Sequence, residues 1–216
     1  EIDRSFSEPR TPKKVEYSLA TCLLSISPEN QYASVHKGAR ACAWLAENSS
    51  TAGEQEKWAL KGISWGKAAV QRADTAAESY YYLAKCQRVL FELRGSDSEK
   101  LARQMHGNLL MARTLEPELD HCGPDRELGS LMVSCRRYPL LGVGTFSRGL
   151  NLLEKTVSSC TAYGENYVVL AEALIEAKEF DRAHFILEKL EELPSPPDHS
   201  ADHQDWLARA TELRLE

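Results

Sequence analysis

The sequence predicts an all-α fold, an α-solenoid of degenerate helical hairpins with about ten helices. Three observations predict it. Apolar residues recur at helical spacing along nearly the whole chain, alternating strand patterns bounded by turns are absent, and helix-start signals come one after another with short connections between them. Short connections make consecutive helices antiparallel neighbours, and a long series of such pairs stacks into a repeat array.

The elements follow in order. Residues 1–11 are polar and read as a flexible lead. Thr11 before Pro12 suits an N-cap with proline in the first turn, opening a helix near 12–26, and Pro28 separates it from a second near 30–47. Thr51-x-x-Glu54, Thr75-x-x-Glu78 and Ser96-x-x-Glu99 each pair a capping hydroxyl with a carboxylate three residues on, marking helices near 53–72, 76–94 and 97–115. Pro117 and Pro139 bracket a helix near 125–137, Thr145 caps one near 146–160, and helices near 165–178 and 180–193 run up to Pro194. The repeat domain thus covers about 12–194. Residues 195–216 form a linker, Ser195-Pro196-Pro197, and a capping helix near 200–214.

Two helix faces favour stacking. Near 76–94, Tyr82, Leu83, Cys86, Val89, Leu90 and Leu93 form a broad apolar stripe opposite Tyr81, Lys85, Arg88 and Glu92. Near 180–193, Ala183, Ile186, Leu187 and Leu190 form a stripe that leaves Phe185 needing a second neighbour, for which the helix carrying Trp206 is the candidate. Trp65 lies among Gly62, Gly66 and Ala69, where missing side-chain volume suits core packing of a bulky ring.

Composition narrows the function classes. With 216 residues, 43% of them hydrophobic, the chain can bury a sizeable core. A formal charge of -6 gives no net field that attracts a nucleic-acid backbone or an anionic membrane, so no nucleic-acid partner is expected. No apolar run approaches the roughly 18 residues of a spanning helix. The chain begins at Glu1 rather than Met, and the original start, with any secretion signal, is expected upstream of it. Six scattered cysteines, Cys22, Cys42, Cys86, Cys122, Cys135 and Cys160, lack the close pairs of a zinc ribbon. Most read as small core residues; a disulfide among them would indicate an oxidising compartment.

The residues at the contacts carry a resemblance. A tetratricopeptide unit of about 34 residues sets large and small side chains at fixed offsets on two helices. Leu170, Ala171, Leu174, Ala183, Leu187 and Leu190 fall at those offsets, with Pro194 closing the unit. Gly149, Leu153 and Thr156 suit the second helix of the preceding unit, Leu109, Leu110, Ala112 and Pro117 an earlier one, and Trp58 to Asp74 a third. A more specific series runs Arg137-Tyr138-Pro139-Leu140-Leu141-Gly142-Val143-Gly144, Gly149-Leu150, Leu152-Leu153-Glu154, Tyr163-Gly164-Glu165-Asn166-Tyr167 and Leu170-Ala171-Glu172-Ala173-Leu174. This series resembles the T-component family of TRAP transporters, most closely over about 130–193. The animal regulator of microtubule dynamics family shows a related aromatic, glycine and Glu-Asn pattern.

The resemblance implies a periplasmic lipoprotein of cryptic tetratricopeptide repeats that forms homo-oligomers and partners a periplasmic solute-binding protein. It implies anchoring by a lipid on a cysteine that this chain does not include. The family's proline after the second helix is Thr161 here. The expected function is therefore a non-enzymatic adaptor that contacts a protein partner and a small ligand, with no cofactor. A cytoplasmic tetratricopeptide adaptor and a metal-dependent hydrolase are the alternatives.

Candidate binding residues are Arg136, Arg137 and Tyr138, a basic and aromatic cluster before the Pro-Gly loop that could recognise a carboxylate. Tyr81, Lys85 and Arg88 form a second patch: an aromatic on a charged face is either a contact residue or covered by a neighbour. His199 and His203, four apart, are weak metal candidates, because Ser200 occupies the position where a zinc protease carries its glutamate base; an exposed polar helix start is the plainer reading. Cys122 beside His121 lacks an orienting third group for nucleophilic chemistry. Gly142-Val143-Gly144 reads as a tight inter-helix loop rather than a phosphate loop, since no strand precedes it.

Overall fold

The computed structural model describes residues 11–24, 31–134, 137, 142–195 and 199–215. Among these are ten α-helices, one short 3-10 turn and no strand: α1 (Pro12–Leu24), α2 (Gln31–Glu47), α3 (Ala52–Arg72), α4 (Ala77–Arg94), α5 (Glu99–Leu115), α6 (Leu119–Ser134), α7 (Phe146–Ser159), α8 (Gly164–Glu176), α9 (Phe180–Glu191) and α10 (Ser200–Leu213). The chain divides into two compact units, residues 1–119 and 120–216.

Capping chemistry sets several boundaries. The Thr51 and Thr145 hydroxyls accept the N–H groups of Glu54 and Arg148, each at 3.3 Å, and Thr11 accepts that of Lys14 at 3.4 Å. Two expected caps differ. Ala76, not Thr75, sits at the N-cap of α4 and makes no side-chain bond. The start expected at Ser96 is replaced by the 3-10 turn Gly95–Ser98, because Gly95 takes a φ of 57° and ends α4 before α5 can begin.

In the first unit each helix from α1 to α5 packs on its chain neighbours, and α2 also reaches α4. Val15, Leu19, Cys42, Leu45, Trp58, Val89 and Leu90 share one core. Small residues bring the helices together. A Cβ on Gly62 would stand 2.3 Å from Cys86 Sγ, and one on Gly38 would stand 2.5 Å from the half-buried ring of Trp65. The packing role expected of Trp65 is thus filled, with Gly38 of α2 supplying the missing volume.

The second unit holds α8, α9 and α10 against one another and α7 against α8. Leu170, Ala171, Leu174, Ala183, Leu187 and Leu190, the repeat positions read from the sequence, are all buried. A Cβ on Gly149 of α7 would meet the Gly129 carbonyl oxygen of α6 at 2.7 Å and the Val133 nitrogen at 2.8 Å, so these helices approach backbone to backbone. Gly142 and Gly144 take φ values of 66° and 148°, the tight loop the sequence predicts. Phe185 does not meet Trp206. It stays 55% exposed with the Lys189 ammonium 4.4 Å above its ring, while Trp206 fills the space over Gly164, where a Cβ would stand 2.4 Å from the indole.

The expected helix near 125–137 begins earlier and is broken. Asp120, His121 and Cys122 take φ values of 49°, 55° and 65° before the regular turns resume, with Pro124 in their first turn. Left-handed torsions cost roughly 1–2 kcal/mol per non-glycine residue, so three in succession need support from elsewhere. Part of it is covalent: Cys122 and Cys160 form a disulfide. Cys42 and Cys86 are buried thiols outside any disulfide, as small core residues should be, whereas Cys135 and the Cys22 side chain lie outside the described residues.

Candidate functional site

The rest of the support for the left-handed segment comes from Arg126, only 1% exposed, on the regular part of α6. Its guanidinium donates to Asp120 Oδ2 at 2.9 Å, to the Asp120 and His121 carbonyls at 3.2 and 3.5 Å, and to Asn166 Oδ1 at 2.9 Å. Glu165 lies 3.3 Å away and the Tyr163 ring 5.1 Å away. Asn166 uses its amide nitrogen to donate to the His121 and Cys160 carbonyls, at 3.1 and 3.2 Å. The start of α8, Tyr163 to Asn166, therefore holds residues 120–122 in place through one buried cation.

A ring cluster stands beside this network. His121 stacks on Tyr163 with centroids 4.3 Å apart, and its Nε2 lies 3.2 Å from Nε2 of His199 at the entry of α10. His199 Nδ1 is 3.1 Å from Asp202 Oδ2, and Trp206 closes the other side of Tyr163 at 4.8 Å. His199 is thus paired with His121 rather than with His203. The exposed polar helix start is corrected in part: His203 is only 6% exposed, its ring lies edge-on to Trp206, and its Nδ1 is buried without a hydrogen-bond partner. Among the described residues no group of three or more His, Cys, Asp or Glu converges as metal ligands.

The other candidates fall in different surroundings. Arg137, 67% exposed, forks onto Glu176 with Nε–Oε1 at 3.2 Å and Nη2–Oε2 at 2.7 Å, so an internal carboxylate occupies the group expected to take a ligand's. Arg136 and Tyr138 lie outside the described residues. Tyr81 has no exposed surface, which places it among the covered aromatics, and Lys85 and Arg88 converge on Glu47 of α2, Lys85 at 3.3 Å. Burial alone would raise the Glu47 carboxyl, but the two cations and their hydrogen bonds outweigh it and hold the group below the ordinary carboxylate value. Cys122, bound into its disulfide, has no thiol to pair with His121. Burial pushes the Cys86 thiol well up, which makes it unreactive.

No family model matches the chain, and no curated protein matches it. Among solved structures, the crystal structure of a thermophilic TPR protein from Thermus thermophilus matches with a TM-score of 0.66 at 16% identity, over 95% of this chain and 89% of that one. The fold is tetratricopeptide-like. Within such repeats the small residues at helix contacts are the readable part, and the sequence supplied them. Arg126 and its link to Asn166 were not read from it, because two polar residues 40 positions apart carry no periodic signal. The available hint was Glu165-Asn166 at the start of an apolar helix, a position where a solvated pair needs no partner but a buried one does.

Proposed function

We propose that this chain is a non-enzymatic tetratricopeptide adaptor exported to the periplasm, where it serves as an accessory component of a transporter that depends on a solute-binding protein. The observation that carries this reading is the Cys122–Cys160 disulfide inside a helical-repeat fold. Helical repeats present extended surfaces suited to holding a partner. Structural disulfides persist in oxidising compartments and are rare in the cytosol. The series from Arg137 to Leu174 supports the transporter role, since the residues that resemble the T-component family include Tyr163, Glu165 and Asn166, which brace the disulfide-linked segment. The non-enzymatic part is supported by the engagement of the reactive groups: Cys122 in a disulfide, Glu47 with two cations, Arg137 with Glu176.

The test uses the full gene product in its own cells. Fractionation combined with thiol trapping is expected to find it at the membrane, outside the cytoplasm, with Cys122 and Cys160 oxidised. A gene for a solute-binding protein is expected beside its own, and calorimetry against that gene's product is expected to show saturable binding. A cytosolic protein with both cysteines reduced overturns the reading and leaves the cytoplasmic adaptor in its place.

A further inference from the structure

We infer that His121 and His199 form a binding site for a divalent transition-metal cation of the zinc class, with Asp202 orienting one of the two imidazoles. The Nε2 atoms stand 3.2 Å apart, the ring centroids 5.1 Å apart and the ring planes at 81°. Two arrangements bring imidazole nitrogens this close: a shared hydrogen bond, or a common cation. In a straight N–H···N bond the rings point at each other, which at this separation puts the centroids about 5.5 Å apart. The observed centroids are closer than that, so the ring axes meet at an angle. Two imidazoles on one tetrahedral cation, with metal–nitrogen bonds of about 2.0–2.1 Å, hold their nitrogens about 3.3 Å and their centroids about 5.2 Å apart. The pair has the geometry of a bent hydrogen bond and equally that of the second arrangement, so a cation can replace the shared proton without moving either ring.

The surroundings support it. Asp202 Oδ2 at 3.1 Å from His199 Nδ1 places the proton on that nitrogen and directs the lone pair of Nε2 outward, the carboxylate–histidine arrangement that recurs behind metal ligands. His121 is held by the disulfide at the next residue, by Asn166 on its carbonyl and by the Tyr163 ring against its face. Both donors are therefore positioned before any cation arrives. His121 is exposed and His199 keeps 22% of its side chain accessible, so water can complete the coordination. The nearby Arg126 charge is neutralised by Asp120 and Glu165 and does not repel a cation. Imidazole donors select zinc, copper or nickel over magnesium and calcium. Such a cation clamps the left-handed segment to the entry of α10, and because it binds the folded chain it raises the melting temperature.

The test is a zinc titration of the intact, disulfide-bonded protein. Calorimetry is expected to give one equivalent, and the imidazole proton resonances of His121 and His199 are expected to shift together as it binds. His121→Gln and His199→Gln should each weaken binding at least tenfold, and Asp202→Asn about tenfold. His184→Ala, which removes an exposed histidine on α9, should leave it unchanged. The resonance measurement needs no variant, so a substitution that disturbs folding does not remove the test. Zinc binding that leaves both sets of resonances unmoved, or that survives in the double variant His121→Gln/His199→Gln, overturns the inference.

Discussion

Replacing Arg126 with methionine keeps most of the side-chain volume but removes the donors that face Asp120, Glu165 and Asn166 inside the second unit. Leaving one side of a buried ion pair unmatched costs about 3–5 kcal/mol, and urea unfolding of Arg126→Met should show a loss in that range. Arg126→Lys should recover little of it, since a point charge cannot span acceptors set at different angles. The Glu47 pair gives a pH-dependent counterpart. Glu47→Gln leaves Lys85 and Arg88 facing each other and should lower stability by about 1–2 kcal/mol at pH 7. The folded carboxyl sits below its unfolded value of 4.5, so this contribution is full above pH 4.5 and fades as the pH falls through the folded value. Unfolding measured from pH 7 to pH 3 should therefore find wild type and Glu47→Gln converging on the acid side. Neither network was legible in the sequence. A helical wheel puts Lys85, Arg88 and its i,i+4 partner Glu92 on a charged face, but it is Glu47, 38 to 41 residues earlier in the chain, that draws Lys85 and Arg88 together.

At the scale of the helices, most of the architecture was legible, because caps and packing residues are local or periodic signals. Thr51 and Thr145 start helices by bonding to an N–H three residues on, and the Leu170-to-Leu190 series buries as its spacing demands. The break at residues 120–122 was not legible, since Asp and His take left-handed torsions only as single exceptions and Cys122 has no preference for them, so the run of three exists because a distant arginine, amide and cysteine hold it. The α6–α7 crossing offers a sharp check. At Gly149 the atoms in the way are the Gly129 carbonyl oxygen, the Val133 nitrogen and Met132 Cβ, none of which can swing aside, so Gly149→Ala should cost about 1–3 kcal/mol despite alanine's higher helix propensity. Gly53 is the matched control, a helical glycine with open space at its Cβ position, where the same change should be neutral or stabilising. Thermal melts should show a clear drop for the first variant and none for the second.

For the molecule as a whole, the all-α repeat class followed from the sequence, while the partition into residues 1–119 and 120–216 did not. Pro117, Gly123 and Pro124 do mark a break between the helices expected near 97–115 and 125–137, but comparable punctuation separates other helices of the array, so this break alone does not divide the chain into two units. The disulfide lies wholly in the second unit and spans 38 positions, for which loop-closure entropy predicts a contribution of up to about 4 kcal/mol. Reduction, or Cys122→Ala/Cys160→Ala, should destabilise the second unit by that order and leave the first unaffected. Amide hydrogen exchange, read separately on helices α1 to α5 and α7 to α10, checks the difference.

The cross-link also changes what a single cut does to the chain. Arg137, whose side chain is largely exposed, lies between Cys122 and Cys160 in the sequence and is a residue type after which trypsin-like enzymes cut. Cleavage there severs the polypeptide without separating its pieces. The nicked protein should migrate as one species on a non-reducing gel and as two after reductant, and it should keep α6 and α7 tethered while it refolds. The cross-link thus turns a cut that would leave two separate chains into damage the protein survives.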